Sequence, residues 1–328
     1  MQSPIFIVGP HRSGSTFWHN LIAMSPGILR LTDPRFLSRP GQRDFKFFLN
    51  TQARDLSTEE DIEKMVELCF SKKSIPGLEG AFWRFEGIEG AESPELRKEI
   101  ARRIKDSDRS LGAIAKAILE EITRFSGYDR TCVKFPVDVG HIPELIEWFP
   151  DCKIIHITRD PRALAMSKSN DPSGTAIKVV EHPRLAWLIK KAMVWLTIVQ
   201  YRRSAKLHLR FKQLSNYRLF RFEDLLAEPE RVLRELCEFI ETDFSEEMLE
   251  PQKGRHEHQP SSLTGKRQKA FDTKAGTRWE TVISPIDNLM IFSLTKASMR
   301  KLDYNPKTHP IFREGEQFQQ PAQRQAVR

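Results

Sequence analysis

The sequence predicts an α/β fold, in which a mostly parallel central sheet carries helices on both faces in a P-loop-like three-layer architecture. Short apolar runs rich in β-branched residues alternate with amphipathic helical segments along the chain, as in sheets that are buried on both sides. A glycine-rich loop joins the first of these runs to a helix. No internal repeat is visible, which argues against a solenoid.

Length and composition permit one large globular domain. The chain has 328 residues, of which 39% are hydrophobic and 29% charged, so it can bury a sizeable core. We expect a single domain over residues 1–304 and a disordered tail over 305–328, which is rich in Gln, Pro and Arg. No apolar run approaches the roughly 18–20 residues that span a bilayer, and the N-terminus does not resemble a secretory signal.

Cysteine spacing and net charge narrow the class of protein further. Cys69, Cys132, Cys152 and Cys237 lie far apart, which fits neither a zinc site nor a disulfide scaffold. We therefore expect reduced, mostly buried thiols and a cytoplasmic protein. The net charge of +8 favours an anionic partner, but by itself does not separate nucleic acid, a membrane surface and a phosphorylated small molecule.

The elements follow one another in a regular order. The run Pro-Ile-Phe-Ile-Val-Gly ending at Gly9 reads as a buried strand, and a helix of about ten residues follows from Ser15. Further strands are predicted at residues 28–31, 131–134, 153–157 and 217–222. Helices are predicted near 59–70, in one or two pieces over 94–122, and at 141–148, 162–169, 183–209, 229–240 and 285–302.

Ligands of such sheets bind beyond the carboxyl ends of the strands. Functional side chains are therefore expected just after Gly9, Leu31, Lys134 and Ile157.

The loop after the first strand has the spacing of a phosphate-binding loop. Gly9 is followed by four residues, Gly14, and the hydroxyl residues Ser15 and Thr16 at a helix N-terminus. A nucleoside triphosphatase would carry lysine where Ser15 stands, whereas the cation here is Arg12 within the loop. The fourth strand ends in Thr-Arg-Asp rather than in an aspartate placed to hold magnesium. The pattern predicts a phosphate site that is not built for magnesium triphosphate chemistry.

Three segments together resemble a known family. IFIVGPHRSGSTFW resembles the 5′-phosphosulfate loop of sulfotransferases that use 3′-phosphoadenosine 5′-phosphosulfate (PAPS). KIIHITRDPRALAMSKS is similar to the family's 3′-phosphate segment, in which an arginine ends a strand and a serine follows eight positions later. YRLFRFEDLLAEPERVLRELCEFI is similar to the strand, acidic turn and helix that come next. The match covers most of the chain in the right order.

The resemblance implies a donor site for PAPS as co-substrate. It places the 5′-phosphate on Arg12, Ser13, Gly14, Ser15 and Thr16, the adenine beside Phe17, and the 3′-phosphate on Arg159 and Ser167. A closing loop that contains Lys274 and Arg278 resembles the one that covers the 3′-phosphate, and we select Arg278 for that role. Arginine suits bidentate phosphate binding, although Arg159 could instead pair with Asp160 or another acid, and Phe17 could be a core residue.

The resemblance also implies catalytic residues. Lys134 matches a lysine that sits beside the transferring sulfonyl group, whereas Pro136 stands where the cytosolic branch carries its catalytic histidine. Other branches use a carboxylate after the second strand, where this chain has Asp33, so Asp33 is our choice of general base. Capping of a turn before Pro34 is an equal alternative for Asp33. Glu79 and Glu86, which flank an aromatic cluster at residues 82–85, are further candidates.

The predicted function is in-line, metal-independent sulfonyl transfer from PAPS to a hydroxyl, or less readily an amine, of a small-molecule or glycan acceptor. The alternatives are a P-loop small-molecule kinase and a nucleotide-binding protein without catalysis. We expect no metal site, because the His256 and His258 pair has no evident third ligand, and no nucleic-acid partner. The sequence does not fix the acceptor or the oligomeric state.

Overall fold

A five-stranded, wholly parallel sheet forms the centre of the computed structural model, which describes residues 2–31, 56–70, 93–136, 139–170, 183–254 and 271–304. The strands are β1 (Ile5–Gly9), β2 (Ile28–Leu31), β3 (Arg130–Pro136), β4 (Lys153–Thr158) and β5 (Tyr217–Arg221). Their spatial order is β2-β3-β1-β4-β5. The predicted α/β class and parallel sheet are thereby confirmed.

Helices connect and cover these strands. They are α1 (Ser15–Ile22), α2 (Glu59–Phe70), α3 (Pro94–Lys105), α4 (Leu111–Phe125), α5 (Ile142–Trp148), α6 (Pro161–Ser169), α7 (Pro183–Phe211), α8 (Phe222–Ala227), α9 (Pro229–Ile240), α10 (Lys274–Thr277) and α11 (Pro285–Lys301). The predicted helices are present within about two residues of their expected ends. The short helices α8 and α10 were not predicted.

The sheet is buried on both faces, because alternate residues of each strand point to opposite sides. Phe6 and Val8 of β1 face a core formed with α2, α3, α4 and α5. Ile5 and Ile7 face a second core formed with α1, α8 and α9. Every residue of β1 is buried, which explains why its sequence is a continuous apolar run rather than an alternating one.

Helices α6, α7 and α11 form a packed group beside the sheet. Leu164 of α6 packs with Tyr201 of α7 and Phe292 of α11. A separate cluster joins Met166 and Ile198 to Trp279. This group matters for the site because α6 follows β4 directly.

A polar network lies buried between β4, β5 and α7. The Tyr217 hydroxyl oxygen is 2.6 Å from Nδ1 of His156 and 2.9 Å from Nδ1 of His208. Nε2 of His156 lies 2.9 Å from the Ser204 hydroxyl. Burial lowers the pKa of His156 to about 3, helped by the neighbouring His208, and also lowers the pKa of His208.

The four cysteines are buried and unpaired, as their spacing predicts. Burial raises the pKa of each thiol, so all four are poor nucleophiles. Within the described ranges, none of the helices has the length and apolar content needed to cross a bilayer.

Several expectations fall outside the described residues. They concern Asp33, Glu79, Glu86, the aromatic cluster at 82–85, His256, His258 and the tail at 305–328. The single-domain boundary at residue 304 remains a prediction.

Candidate active site

The point where the sheet reverses its direction of growth lies between β1 and β4. From β1 the chain passes to β2 and β3 on one side, and later to β4 and β5 on the other. Parallel sheets bind ligands at such a switch point, at the carboxyl ends of the strands. The glycine loop follows β1, and Arg159 follows β4, so both stand at this point.

Two glycines give the loop its close packing. Gly9 lies so near β4 that a Cβ atom there would be 2.3 Å from the carbonyl oxygen of Ile157. Gly14 has φ +88° and forms the N-cap of α1, where a Cβ would lie 2.4 Å from the Phe222 ring. The loop also holds Arg12 at φ 72°, a conformation that is uncommon for a residue with a side chain.

The loop ends in an anion-binding arrangement. The first-turn N–H groups of a helix have no acceptor within the helix, and the helix dipole places partial positive charge there. Here those groups belong to the residues after Gly14, which caps α1 without any side-chain hydrogen bond. The Ser13 hydroxyl is fully buried in the loop with no hydrogen-bond partner.

Arg12, Ser167 and Arg159 form one connected group. Nε of Arg12 donates to the Ser167 hydroxyl at 3.1 Å, joining the loop to α6. Nη1 of Arg159 donates to the Arg12 carbonyl at 3.2 Å. The sequence assigned Arg12 to one phosphate and Ser167 with Arg159 to another; the fold joins the Arg12 and Ser167 side chains directly and places the Arg159 guanidinium on the Arg12 backbone.

Within the part of the chain that the structure describes, Arg159 is held by backbone and aromatic contacts and not by a carboxylate. Its Nη2 donates to the Ala275 carbonyl at 2.6 Å, and its guanidinium carbon lies 4.6 Å from the centre of the Phe222 ring. Nε of Arg159 is buried without a partner. Burial lowers the pKa of Arg159, partly offset by Glu223.

The alternative in which Arg159 pairs with Asp160 is wrong, because Asp160 is bound to Arg162. Nη2 of Arg162 lies 2.7 Å from Oδ2 of Asp160, and Nε is 3.1 Å from Oδ1, in a fully buried pair. The guanidinium of Arg162 also lies 4.1 Å from the Trp279 ring centre. Asp160 additionally caps α6 by accepting from the Arg162 N–H.

Glu223 stabilises the turn that follows β4. Its carboxylate accepts the Asp160 N–H at 3.0 Å and the Tyr304 hydroxyl at 2.9 Å. Burial raises the pKa of Glu223, while the nearby Arg159 charge opposes that rise. The Glu223 carboxylate therefore holds the backbone of the turn that contains Arg159.

Lys134 lies on the other side of the loop. It belongs to β3, is buried, and its Nζ donates to the Thr16 hydroxyl at 3.1 Å. β3 is paired with β1, with Lys134 opposite Ile7. The Lys134 ammonium group therefore contacts the first turn of α1, and the Arg12 side chain belongs to the glycine loop that precedes this helix.

Phe17 belongs to an aromatic group at the start of α1. Its ring centre is 6.4 Å from that of Phe222 and 5.5 Å from that of Phe271, in edge-to-face geometry. Phe17 is buried within the core beneath the loop.

The closing loop that contains Lys274 and Arg278 contacts Arg159 through a backbone carbonyl. Arg278 pairs with Asp272, and the Lys274 side chain is exposed. The contact to Arg159 comes from the Ala275 carbonyl. A role for Arg278 at a phosphate stays a prediction.

Comparisons with known proteins show the family of the chain. The chain matches the sequence model of the Sulfotransferase family over residues 4–246. The chain belongs to this family. Its members transfer sulfo groups, and the family resemblance predicted from the three segments is confirmed.

Individual relatives are more distant. The omega-hydroxy-beta-dihydromenaquinone-9 sulfotransferase Stf3 of Mycobacterium tuberculosis is 26% identical over 249 residues, which are 72% of this chain. The match spans 62% of the length of that relative. The sulfotransferase domain of the curacin biosynthetic pathway is 19% identical with a TM-score of 0.56, over 93% of this chain and 99% of that domain. Mouse sulfotransferase SULT7A1 in complex with PAP is 14% identical with a TM-score of 0.50, over 96% and 88% of the two chains.

Sequence reasoning missed Arg162, Glu223, Phe222 and Tyr304, which hold the site together. Their roles depend on contacts between distant segments, which local patterns do not encode. One signal was available: Phe222 and Glu223 follow the fifth strand directly, at the same sheet edge as Arg159. Among the described residues, no group of three or more His, Cys, Asp or Glu is placed to hold a metal ion.

Proposed function

We propose that this protein transfers a sulfonyl group from PAPS to an acceptor hydroxyl. The observation that carries the proposal is the joining of Arg12, Ser167 and Arg159 beside a helix N-terminus at the sheet's switch point. Two arginines and the N–H groups of a phosphate loop form a site for more than one anionic group, as a nucleotide with separate 3′- and 5′-phosphates requires. Mouse sulfotransferase SULT7A1, whose structure holds PAP, supports the same donor class.

Different residues bind different parts of the donor. The loop residues Ser13, Gly14, Ser15 and Thr16, with Arg12, bind the 5′-phosphate. Arg159 and Ser167 bind the 3′-phosphate, for which the buried Nε of Arg159 offers a donor. Arg278 closes over the 3′-phosphate after releasing Asp272, and Phe17 borders the adenine.

Catalysis requires charge stabilisation and a base. When the S–O bond to the donor breaks, negative charge develops on the departing phosphate, and the Lys134 ammonium beside Thr16 stabilises it. The acceptor hydroxyl attacks sulfur in line and loses its proton to a carboxylate, for which we retain Asp33. No step is assigned to a metal, because Asp160, the carboxylate that ends the β4 turn, is bound to Arg162.

The acceptor is a hydroxyl of a small molecule or glycan. The name of the Stf3 relative, which specifies an omega-hydroxy compound, supports a hydroxyl over an amine. A cytoplasmic location remains a prediction from the cysteine pattern.

Donor binding tests this proposal directly. We expect 3′-phosphoadenosine 5′-phosphate to raise the melting temperature of the protein clearly more than adenosine 5′-monophosphate does. Arg159→Ala removes most of that difference, since a hydrogen bond to a charged group contributes about 1.5–3 kcal/mol. Arg218→Ala, which removes an arginine paired with Glu235 outside the site, keeps it.

Equal stabilisation by both nucleotides in the unaltered protein contradicts the donor assignment. Activity that is lost with EDTA and restored by magnesium contradicts the metal-independent mechanism and favours the small-molecule kinase.

The base is tested by Asp33→Asn. Loss of the proton acceptor lowers turnover by about 10²–10⁴-fold with donor binding unchanged. If the Asn variant stays active, Asp33 is a turn cap, and Glu79→Gln and Glu86→Gln become the variants to measure.

A further inference from the structure

One face of α7 is apolar yet exposed. Leu188 is 54% and Trp195 55% exposed, and Leu185 and Val199 are each 49% exposed. At 100° per residue these positions, together with Ala192 and Leu196, fall on a single stripe of the helix. Over residues 185–199 this stripe is about 21 Å long. We call this apolar stripe and its basic continuation (Arg202, Arg203, Lys206 and Arg210) the docking face.

The same stripe turns basic toward the end of α7. Arg203, Lys206 and Arg210 continue it, with Arg202 at its border, and all four are exposed. The whole helix contains no aspartate or glutamate. This stripe, with Trp and Leu in one half and arginine and lysine in the other, has the chemistry of a helix face that lies on an anionic bilayer.

A neighbouring helix widens the apolar half. Nζ of Lys191 on α7 lies 2.6 Å from Oδ1 of Asp287 on α11. Ile286, the residue before Asp287, is 77% exposed, and Leu289 is 59% exposed. Exposed apolar side chains that follow one another along a helix face, as on α7, mark an interaction surface.

The docking face adjoins the candidate active site. Gln200, the residue after Val199, accepts a hydrogen bond from Lys168 at 3.0 Å. Lys168 follows Ser167 directly on α6. The docking face on α7 therefore lies next to α6, the helix that carries Ser167.

Charge decides between a bilayer and a second copy of the chain. In a two-fold pair the docking face would meet itself, and α7 offers no carboxylate to the partner's Arg203 and Lys206. A bilayer that contains anionic lipid supplies both the apolar interior and the negative headgroups.

We propose that the docking face binds this protein peripherally to anionic lipid bilayers, with Trp195 and its apolar neighbours at the acyl boundary. The binding does not depend on the proposed sulfotransfer and is measured without donor or acceptor.

The test is co-sedimentation of the full chain with vesicles. We expect binding to vesicles of phosphatidylcholine with phosphatidylglycerol, and much weaker binding to phosphatidylcholine alone. Leu188→Glu with Trp195→Glu, and separately Arg203→Glu with Lys206→Glu, each reduce the partition coefficient by roughly tenfold or more. Raised salt weakens binding of the unaltered protein to the anionic vesicles.

Matched controls exclude a general effect of added negative charge. Leu214→Glu alters an exposed leucine outside the docking face, and Lys98→Glu with Lys116→Glu reverses two exposed lysines on α3 and α4. Both keep the binding of the unaltered protein. The far-ultraviolet circular dichroism and melting temperature of each variant show that it is folded.

Three results overturn the proposal. The unaltered protein does not bind anionic vesicles; or the controls lose binding as the docking-face variants do; or sedimentation velocity shows a dimer that Trp195→Glu dissociates, which makes the face an interface between two copies.

Discussion

Lys134 lies on β3 with its ammonium nitrogen 3.1 Å from the Thr16 hydroxyl, and its role depends on that position. In the proposed reaction it stabilises charge that appears on the leaving phosphate only in the transition state. Lys134→Ala therefore lowers kcat by roughly 10²–10³-fold, while donor affinity changes by no more than about several-fold. Steady-state kinetics with a hydroxyl acceptor, combined with nucleotide titration, separate the two effects.

Lys153 provides the matched control for Lys134. It starts β4 at the opposite edge of the sheet and pairs with Glu241 there. Lys153→Ala keeps the turnover of the unaltered enzyme. A Lys134→Ala variant that loses donor affinity in proportion to kcat would contradict a transition-state role.

At the level of single residues, sequence reasoning named Arg12, Lys134 and Arg159 of the candidate site and missed the residues that hold them in place. Arg12, Lys134 and Arg159 follow strands, so the rule of strand ends and the family resemblance identify them together. Arg162 looks like a surface residue of a short helix, yet it is fully buried against Asp160 and Trp279. Such pairing depends on how α6 packs on α11, which no local pattern reports.

Among the elements, the turn from β1 into α1 depends on a glycine at its N-cap. Gly14→Ala introduces a methyl group at φ +88° and places it 2.4 Å from the Phe222 ring. We expect the free energy of unfolding to fall by about 2–5 kcal/mol, the sum of backbone strain and overpacking. Urea unfolding measures this loss, and donor binding weakens with it because α1 shifts.

Gly127 isolates the backbone contribution. It has φ +71°, and a Cβ there meets nothing within 4 Å. Gly127→Ala thus costs only the strain, about 1–2 kcal/mol. Equal losses for the two variants would show that Phe222 gives way and that the close approach is unimportant.

Element boundaries were predictable where start and stop signals are local. Ser93 with Pro94 begins α3, and Ser284 with Pro285 begins α11, each with a serine side chain capping the helix. The start of α8 was missed because Phe222 looks like the last residue of an alternating strand. The structure ends β5 at Arg221 and turns at once into a helix, so Phe222 faces Gly14.

For the molecule as a whole, the buried histidines make stability depend on pH. The folded pKa of His156 is about 3, whereas the unfolded chain binds a proton near pH 6.5. A depressed pKa contributes stability above the unfolded value that is lost as pH falls. Between pH 7 and pH 5 His156 accounts for a loss of about 2 kcal/mol, and His208 adds to it in the same direction.

Urea unfolding at pH 7, 6 and 5 checks this expectation. His156→Gln keeps hydrogen-bonding groups near Tyr217 and Ser204 and has a shallower pH dependence than the unaltered protein. An unchanged slope for His156→Gln would show that the buried network titrates in the folded state.

The C-terminal end of the described chain reaches the candidate site at Glu223. Tyr304, the last described residue, donates to the carboxylate that supports the Arg159 turn, and Arg221 contacts the Asp303 carbonyl. Domains fold as units while the ribosome makes them from the N-terminus. The glycine loop is therefore synthesised well before Tyr304, and Glu223 gains the Tyr304 hydroxyl only after residue 304 has been made. A nascent chain that stops before residue 304 carries every proposed phosphate ligand and still lacks this support beneath Arg159.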